Sequence, residues 1–98
     1  MLYIGQLIWD NGNIAHIARH QMVPEEVEQV CHSEPILWQA KAKKDRLFNI
    51  GPTSKGRVLV VILDKEDAND VYYVVTARTA NRAERQMYQQ QKEGEEAA

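Results

Sequence analysis

The stretch that decides the fold is residues 71–88, which read VYYVVTARTANRAERQMY. Its first part, residues 71–77, is rich in β-branched and aromatic side chains, a composition typical of a packed β-strand. Asn81 is followed three residues later by Glu84. This spacing fits a helix capping box, in which each side chain accepts a hydrogen bond from the backbone N–H of the other residue. The stretch therefore predicts a strand that passes directly into a C-terminal helix.

Arginines cluster where this strand meets the helix. Arg78 ends the strand, and Arg82 and Arg85 follow on the first turns of the helix. A guanidinium group matches phosphate oxygens in a bidentate geometry and keeps its charge at any physiological pH. Helix N-termini add free N–H groups and the positive end of the helix dipole. The corner therefore predicts an anion site, and alternation along the strand predicts that Arg78 shares a face with Tyr72, Val74 and Thr76.

Two helices and three further strands are predicted upstream. Asp10 or a neighbouring Asn can cap a helix over residues 14–20, and Pro24 begins a second, amphipathic helix with an acidic first turn. Residues 3–9 are a short strand or an extended segment. The remaining predicted strands are residues 36–43, 46–50 and 57–63. Short connections favour antiparallel pairing. The predicted fold is α+β, with two N-terminal helices, a four-stranded antiparallel sheet and a C-terminal helix.

Length and composition limit the classes of protein that the chain can form. Its 98 residues suit a single domain, which we place at residues 1–88, followed by an acidic tail at 89–98 that is expected to fray. The longest apolar run, residues 58–63, is too short for a membrane span. The N-terminus has no basic segment typical of a secretory signal. Cys31 is the single cysteine, so we predict a cytoplasmic protein with no disulfide. We also predict no metal site and no cofactor.

The net charge of −2 conceals a strong asymmetry along the chain. Residues 38–63 carry six Lys or Arg and one Asp, a net charge of +5, and they include Lys44, Arg46 and Arg57. Residues 1–37 carry a net charge of −4. A basic middle together with the arginine corner fits a polyanionic partner such as RNA. The alternative reading is a solvated strand pair whose lysines protect a sheet edge.

Three parts of the chain resemble the BrnT family. Thr76-Ala77-Arg78, Ala80, Arg82, Glu84-Arg85 and Tyr88 resemble the family's "SAR-A-x-x-x-E-R-x-x-Y" ending. Trp9-Asp10, Asn13, Arg19-His20 and the following Glu-rich helix resemble its "WD…N…KHG…EE" opening, with Arg19 in place of Lys and Gln21 in place of Gly. Ile50-Gly51 and residues 56–61 resemble its middle. The resemblance covers residues 7–88.

BrnT proteins are ribonuclease toxins of bacterial type II toxin–antitoxin pairs and are distantly similar in fold to RelE. The resemblance therefore implies an RNA substrate and a RelE-like fold. It also implies a cognate antitoxin of the BrnA type with a ribbon-helix-helix half, in a dimer or a heterotetramer with the toxin. It further implies that the arginines, the Glu and the Tyr of the ending act together, and it does not divide catalysis from structure among them.

The site prediction follows from the chemistry of RNA cleavage by the substrate's own 2′-hydroxyl. That reaction needs a base, an acid and cations that stabilise the phosphorane, and none of these requires a metal. We expect the catalytic set to be Arg78, Arg82, Glu84, Arg85 and Tyr88. We expect Arg57, Lys44, Arg46 and His20 to bind substrate.

Other roles for these residues stay open at this point. Glu84 is a base, an orienter of an arginine or only a capping residue. Tyr88 is a proton donor, a stacking platform or a packing residue. His20 is a general base or a residue held at a helix end, and His16, four residues earlier, has the spacing of a metal pair but lacks a third ligand.

Two further functions compete with the ribonuclease hypothesis. One is a catalytically inactive RNA-binding or antitoxin-partner module of the same fold. The other is an interaction domain that uses the acidic second helix and binds no nucleic acid.

Overall fold

The computed structural model of the chain describes residues 3–33, 35–39 and 46–97. Within these ranges it contains five strands and three helices. In chain order they are β1 (Gln6–Ile8), α1 (Asn11–Ala18), α2 (Pro24–Cys31), β2 (Ile36–Gln39), β3 (Arg46–Pro52), β4 (Val58–Lys65), β5 (Val71–Thr79) and α3 (Arg82–Ala97). The predicted α+β class, with two N-terminal helices and one C-terminal helix, is confirmed. Residues 40–43, the end of the strand predicted at residues 36–43, lie outside the described residues.

The strands form one sheet in the order β1-β5-β4-β3-β2. Strands β2 to β5 pair antiparallel, as predicted. The sheet as a whole is mixed, because the short N-terminal strand adds to β5 in parallel, with Leu7 opposite Tyr72. The backbone N–H groups of Gly5 and Gln6 both donate to the carbonyl of Asp70, at 2.8 and 3.0 Å. These bonds hold the N-terminal segment against the start of β5.

A β-bulge interrupts the pairing of β4 with β5. Leu63 is opposite Val74 and Ile62 is opposite Thr76, so Val75 has no partner in the ladder. One extra residue reverses the faces of every residue beyond it. Tyr72 and Val74 are buried in the larger core. The prediction that Arg78 shares their face is therefore wrong, whereas the shared face of Arg78 and Thr76 holds.

The two faces of the sheet carry cores of different size. The first face is covered by α1 and α2. Its core contains Ile4, Leu7, Ile17, Met22, Val27, Val30, Cys31, Leu47, Leu59, Val61, Leu63, Tyr72, Val74 and Ala77. Helix α3 packs against the second face through Met87 and Tyr88. The smaller core of this face is built on Ile50, Val60 and Ala80, with Ile36, Val58, Ile62, Met87 and Tyr88 partly buried against them. Arg78 lies on this second face, opposite Val60.

Helix α1 has well-defined ends. A capping box of Asp10 and Asn13 starts it, with bonds of 2.8 and 2.9 Å. At its end Gln21 has φ of +62°, in the left-handed region. The N–H of Met22 reaches back to the carbonyl of Ile17 at 3.2 Å, in the pattern of a Schellman motif. Gln21 thus occupies a position that glycine fits best, and it is the position where the BrnT pattern has Gly.

Helix α3 continues beyond Tyr88 to Ala97, through the segment that we expected to fray. Contacts between residues four apart support this extension: Gln89 donates to Glu93 at 3.4 Å, and the Lys92 ammonium lies 5.9 Å from the centre of the Tyr88 ring. The domain boundary at residue 88 stays a prediction. No helix in the described part of the chain is both long and apolar enough to cross a membrane.

Replacing Gln21 with glycine should stabilise the protein. We expect Gln21→Gly to raise the free energy of unfolding by about 1 kcal/mol, because glycine has no Cβ to clash in the left-handed region. Urea denaturation of both proteins measures the difference. Gln21→Ala is the matched control and should leave stability within roughly 0.5 kcal/mol of the parent, because alanine keeps the Cβ. A Gly variant no more stable than the Ala variant would contradict this account.

Candidate functional site

The strand-to-helix corner is held by hydrogen bonds of its backbone N–H groups on both sides. The N–H of Ala80 donates to the carbonyl of Val58 at 2.9 Å, which fixes the end of β5 against β4. The predicted capping box then starts α3: the N–H of Glu84 donates to Asn81 Oδ1 at 2.8 Å, and the N–H of Asn81 donates to Glu84 Oε1 at 2.9 Å. The side chains on either side of the corner therefore project from a fixed backbone.

Arg78 and Glu84 form a bidentate ion pair across this corner. Nη1 and Nη2 of Arg78 donate to the two carboxylate oxygens of Glu84, at 2.6 and 2.7 Å. This contact is the main cause that lowers the pKa of Glu84 below its ordinary value, against a smaller opposing effect of burial. Glu84 is therefore a weak proton acceptor at neutral pH. Its geometry suits the orientation of Arg78, and three of the five guanidinium N–H groups remain for another ligand.

A cleft of about 710 Å³ lies between α3 and the turn that joins β3 to β4. It is lined by Pro52, Gly56, Val58, Arg82, Arg85, Gln86, Tyr88, Gln89, Lys92 and Glu93. Arg85 Nη1 donates to the carbonyl of Ala80 at 2.7 Å, which directs its guanidinium along the helix N-terminus. Arg82 is exposed and has no ion-pair or hydrogen-bond partner among the described residues. The cleft therefore presents free positive charge.

Tyr88 takes part in both packing and the cleft. With Met87 it packs against the core of the second face, as the packing interpretation predicted. It also lines the cleft beside Lys92. Within the described part of the chain its hydroxyl has no hydrogen-bond partner. A hydroxyl in this state is available to a ligand in the cleft.

The structure does not bring Arg57 and Arg46 to the cleft. Arg57 donates to the carbonyl of Gln21 at 3.2 Å and to the hydroxyl of Thr79 at 2.7 Å, on the face that α1 and α2 cover. Arg46 pairs with Asp64 at 2.9 and 3.2 Å. That pair lies four residues along β4 from the partner of Arg78, a separation of about 14 Å. Lys44 lies outside the described residues.

The predicted residue His20 lies next to His16, which the sequence had suggested only as its partner in a metal-binding pair. His20 is exposed, and its ring centre lies 5.6 Å from that of His16 in an edge-to-face arrangement. His16 Nε2 is 3.0 Å from Thr76 Oγ1, two positions before Arg78 on β5. The four-residue spacing of the histidines was the sequence signal for this pair. No group of three His, Cys, Asp or Glu that could hold a metal occurs among the described residues.

These features define a small α+β protein in which helices cover both faces of a mixed sheet and arginines collect at the start of the last helix. The fold is similar to that of the crystal structure of the Brucella abortus ribonuclease toxin BrnT, with a TM-score of 0.61. That match covers 79% of this chain and 97% of the other, at 24% sequence identity. No protein-family model and no curated protein matches the chain. The expectation of a BrnT-like fold is therefore confirmed.

The Arg78–Glu84 pair should contribute stability that depends on pH. The folded-state pKa of Glu84 is lowered from 4.5, so the stabilisation is present above that value and is lost as the pH falls through the lowered pKa. We expect Glu84→Gln, which keeps the cap bond, to cost about 1 kcal/mol at pH 7 and progressively less as the pH falls below 4.5. The cost is limited because the Arg78 side chain is 41% exposed.

Urea denaturation at pH 7 and at pH 3 measures this difference. Asp67→Asn is the control, because Asp67 is exposed in the β4–β5 connection. A loss of stability that is equal at pH 7 and pH 3 would show that the ion pair is not its cause.

Proposed function

We propose that this protein is the toxin of a type II toxin–antitoxin system and acts as a metal-independent endoribonuclease. The observation that carries the proposal is an arginine-lined cleft that runs along α3 from Arg82 to Glu93, in a chain with the fold of a ribonuclease toxin. Arg82 and Arg85 line this cleft, and Arg78 lies near the end of β5, opposite Val60 and two positions along the sheet from the lining residue Val58. Phosphate is the anion that guanidinium groups and helix N-termini bind best together.

The proposed reaction is attack of a ribose 2′-oxygen on the adjacent phosphorus, with loss of the 5′-oxygen of the next nucleotide. The transition state gathers negative charge on the phosphorane oxygens. Arg82 and Arg85 stabilise that charge from the cleft, and Arg78 adds its remaining N–H donors from the strand end. Since these cations supply the electrostatic stabilisation, the mechanism needs no bound metal.

The other predicted residues have supporting roles in this proposal. Glu84 orients Arg78 through the bidentate pair. Tyr88 offers its ring to an unpaired base and its hydroxyl to the substrate. Arg57, Arg46 and Lys44 lie apart from the cleft or outside the described residues, so we assign them at most contacts with more distant phosphates. His20 lies beside His16 and does not line the cleft, so we assign it at most a weak contact with the substrate.

The proposed partner is a BrnA-type antitoxin with a ribbon-helix-helix DNA-binding half. An antitoxin that neutralises this site has to cover the cleft, and an acidic segment would suit its free arginines. The complex would be a dimer or a heterotetramer in the cytoplasm.

A second candidate is a catalytically inactive RNA-binding or antitoxin-partner module of the same fold. The closed Arg78–Glu84 pair favours it, because a guanidinium that already bonds two carboxylate oxygens serves structure as well as ligand binding. In that case RNA would bind the cleft without cleavage.

Induced expression in a bacterial host separates the two candidates. We expect the wild type to arrest growth and fragment total RNA, and Arg82→Ala and Arg85→Ala each to relieve arrest by lowering cleavage at least about 100-fold, as loss of a transition-state cation does. Lys65→Ala is the matched control, because Lys65 is exposed on β4 and does not line the cleft. Unchanged cleavage in both arginine variants would place the site elsewhere, and normal growth with soluble wild type would favour the inactive module.

Cleavage of purified RNA tests the chemistry. We expect the same rate in buffer and in excess EDTA, and products that end in a 2′,3′-cyclic phosphate, because the 2′-oxygen is the nucleophile and cations of the chain stabilise the charge. End-group analysis of a short labelled RNA measures this. Loss of activity in EDTA that added Mg²⁺ restores would contradict metal independence.

A further inference from the structure

Two histidines from α1 and its C-terminal turn lie beside β5 at a place that the proposed mechanism does not yet use. His16 Nε2 is 3.0 Å from the hydroxyl of Thr76, although 60 residues separate them in the sequence. The ring centres of His16 and His20 are 5.6 Å apart. His16 is half-buried and His20 is exposed, so the pair is anchored on one side and open to solvent on the other.

The β-bulge brings this pair next to the arginine corner. Because Val75 is the extra residue, Thr76 and Arg78 project from the same face of β5. Residues two apart along a strand lie about 7 Å from each other. The hydroxyl that His16 contacts therefore lies one strand repeat from Arg78 along β5.

The groups of the arginine corner are poorly suited to proton transfer. Arginine does not lose its proton under physiological conditions. Both oxygens of Glu84 already accept hydrogen bonds from Arg78, and one accepts a third from Asn81. Imidazole is the side chain best suited to give and take protons near neutral pH. The corner therefore has its cations, and His16 and His20 are imidazoles that reach the same strand, through the contact of His16 with Thr76.

We infer that His16 and His20 are the base and the acid of the RNA cleavage, so that the active site extends from the arginine cleft around the end of β5. This inference rests on the proposed ribonuclease function. His16 donates its Nε2–H to Thr76 Oγ1, which leaves the lone pair of Nδ1 for the 2′-hydroxyl proton. The 2′-oxygen then bonds to phosphorus, the bond from phosphorus to the 5′-oxygen breaks, and protonated His20 gives its proton to that oxygen.

The surroundings of His16 are consistent with this role. Thr76 and Arg78 face it from β5, and Arg19 and His20 are the charged or titratable groups that follow it in its own segment. A substrate phosphate held by Arg78 would place its two ester oxygens between the arginine and the histidines. Thr76 is a positioning residue, since its hydroxyl bonds Nε2 of His16 and holds the ring in place.

The test compares His16→Gln and His20→Gln with His32→Gln in cleavage of a labelled single-stranded RNA. His32 is the matched control, because it is exposed and bonds only to Glu28 on α2. We expect the first two variants to lose about 100-fold or more in rate while they bind an uncleavable 2′-O-methyl RNA within about 3-fold of the parent. His32→Gln should cleave at the parental rate.

Two further measurements remain valid if a variant folds poorly. Added imidazole should restore part of the activity of His16→Ala, which a structural role of the ring would not allow. In the unmodified protein, the 2′-O-methyl RNA should shift the NMR ring signals of His16 and His20 and leave those of His32 in place. Unshifted His16 signals overturn the inference.

The outcomes separate this inference from the proposed function. A soluble wild type that does not cleave RNA overturns both. A wild type that cleaves, with His16→Gln and His20→Gln equally active, overturns only the assignment of the histidines. Loss in both histidine variants with retained RNA binding supports both proposals.

Discussion

The rest of the site depends on the hydrogen bonds that the carboxylate of Glu84 accepts. This carboxylate accepts two bonds from Arg78, at 2.6 and 2.7 Å, and one from the N–H of Asn81, at 2.9 Å. The same group thus fixes where α3 begins and how the last arginine of β5 is directed. Since α3 starts at one defined residue, Arg82 and Arg85 point into the cleft and Tyr88 packs one turn later on the sheet. The carboxylate thus couples the helix start to the Arg78 side chain, while the bond of Ala80 to Val58 holds the end of the strand.

Most of the fold could be predicted from local chemistry. The capping box of Asn81 and Glu84, proline at the start of α2 and the β-branched strands are each written in a few adjacent residues, and the structure has each of them. The features that were missed depend on pairing between distant segments. The parallel addition of β1 has no mark within residues 6–8, and the bulge at Val75 lies in a run of strand-forming residues that would suit an unbroken strand equally well.

For the candidate site too, placement could be predicted for residues close in sequence and not for residues that distant segments bring together. Arg82, Arg85 and Tyr88 are close in sequence on α3 and line one cleft, because helical spacing alone places them on neighbouring faces. Arg57 and Arg46 were grouped with them by charge, and charge along a chain does not report which face or which end of a sheet a residue occupies. The contact of His16 with Thr76 joins α1 to β5 and could be recognised only after the sheet was assembled.

The bulge in β5 also limits how this sequence can change over evolutionary time. Before Val75, the even-numbered residues Tyr72 and Val74 face the larger core. After Val75, the even-numbered residue Arg78 faces the second face instead. Loss of a single residue here would remove the bulge, so that side chains alternate between the faces along the whole strand. This would either bury the arginine or expose the tyrosine and valine. Substitutions within the strand change one side chain at a time, whereas a one-codon deletion would change the core and the site together. The length of this strand is therefore under a tighter constraint than the identity of most of its residues.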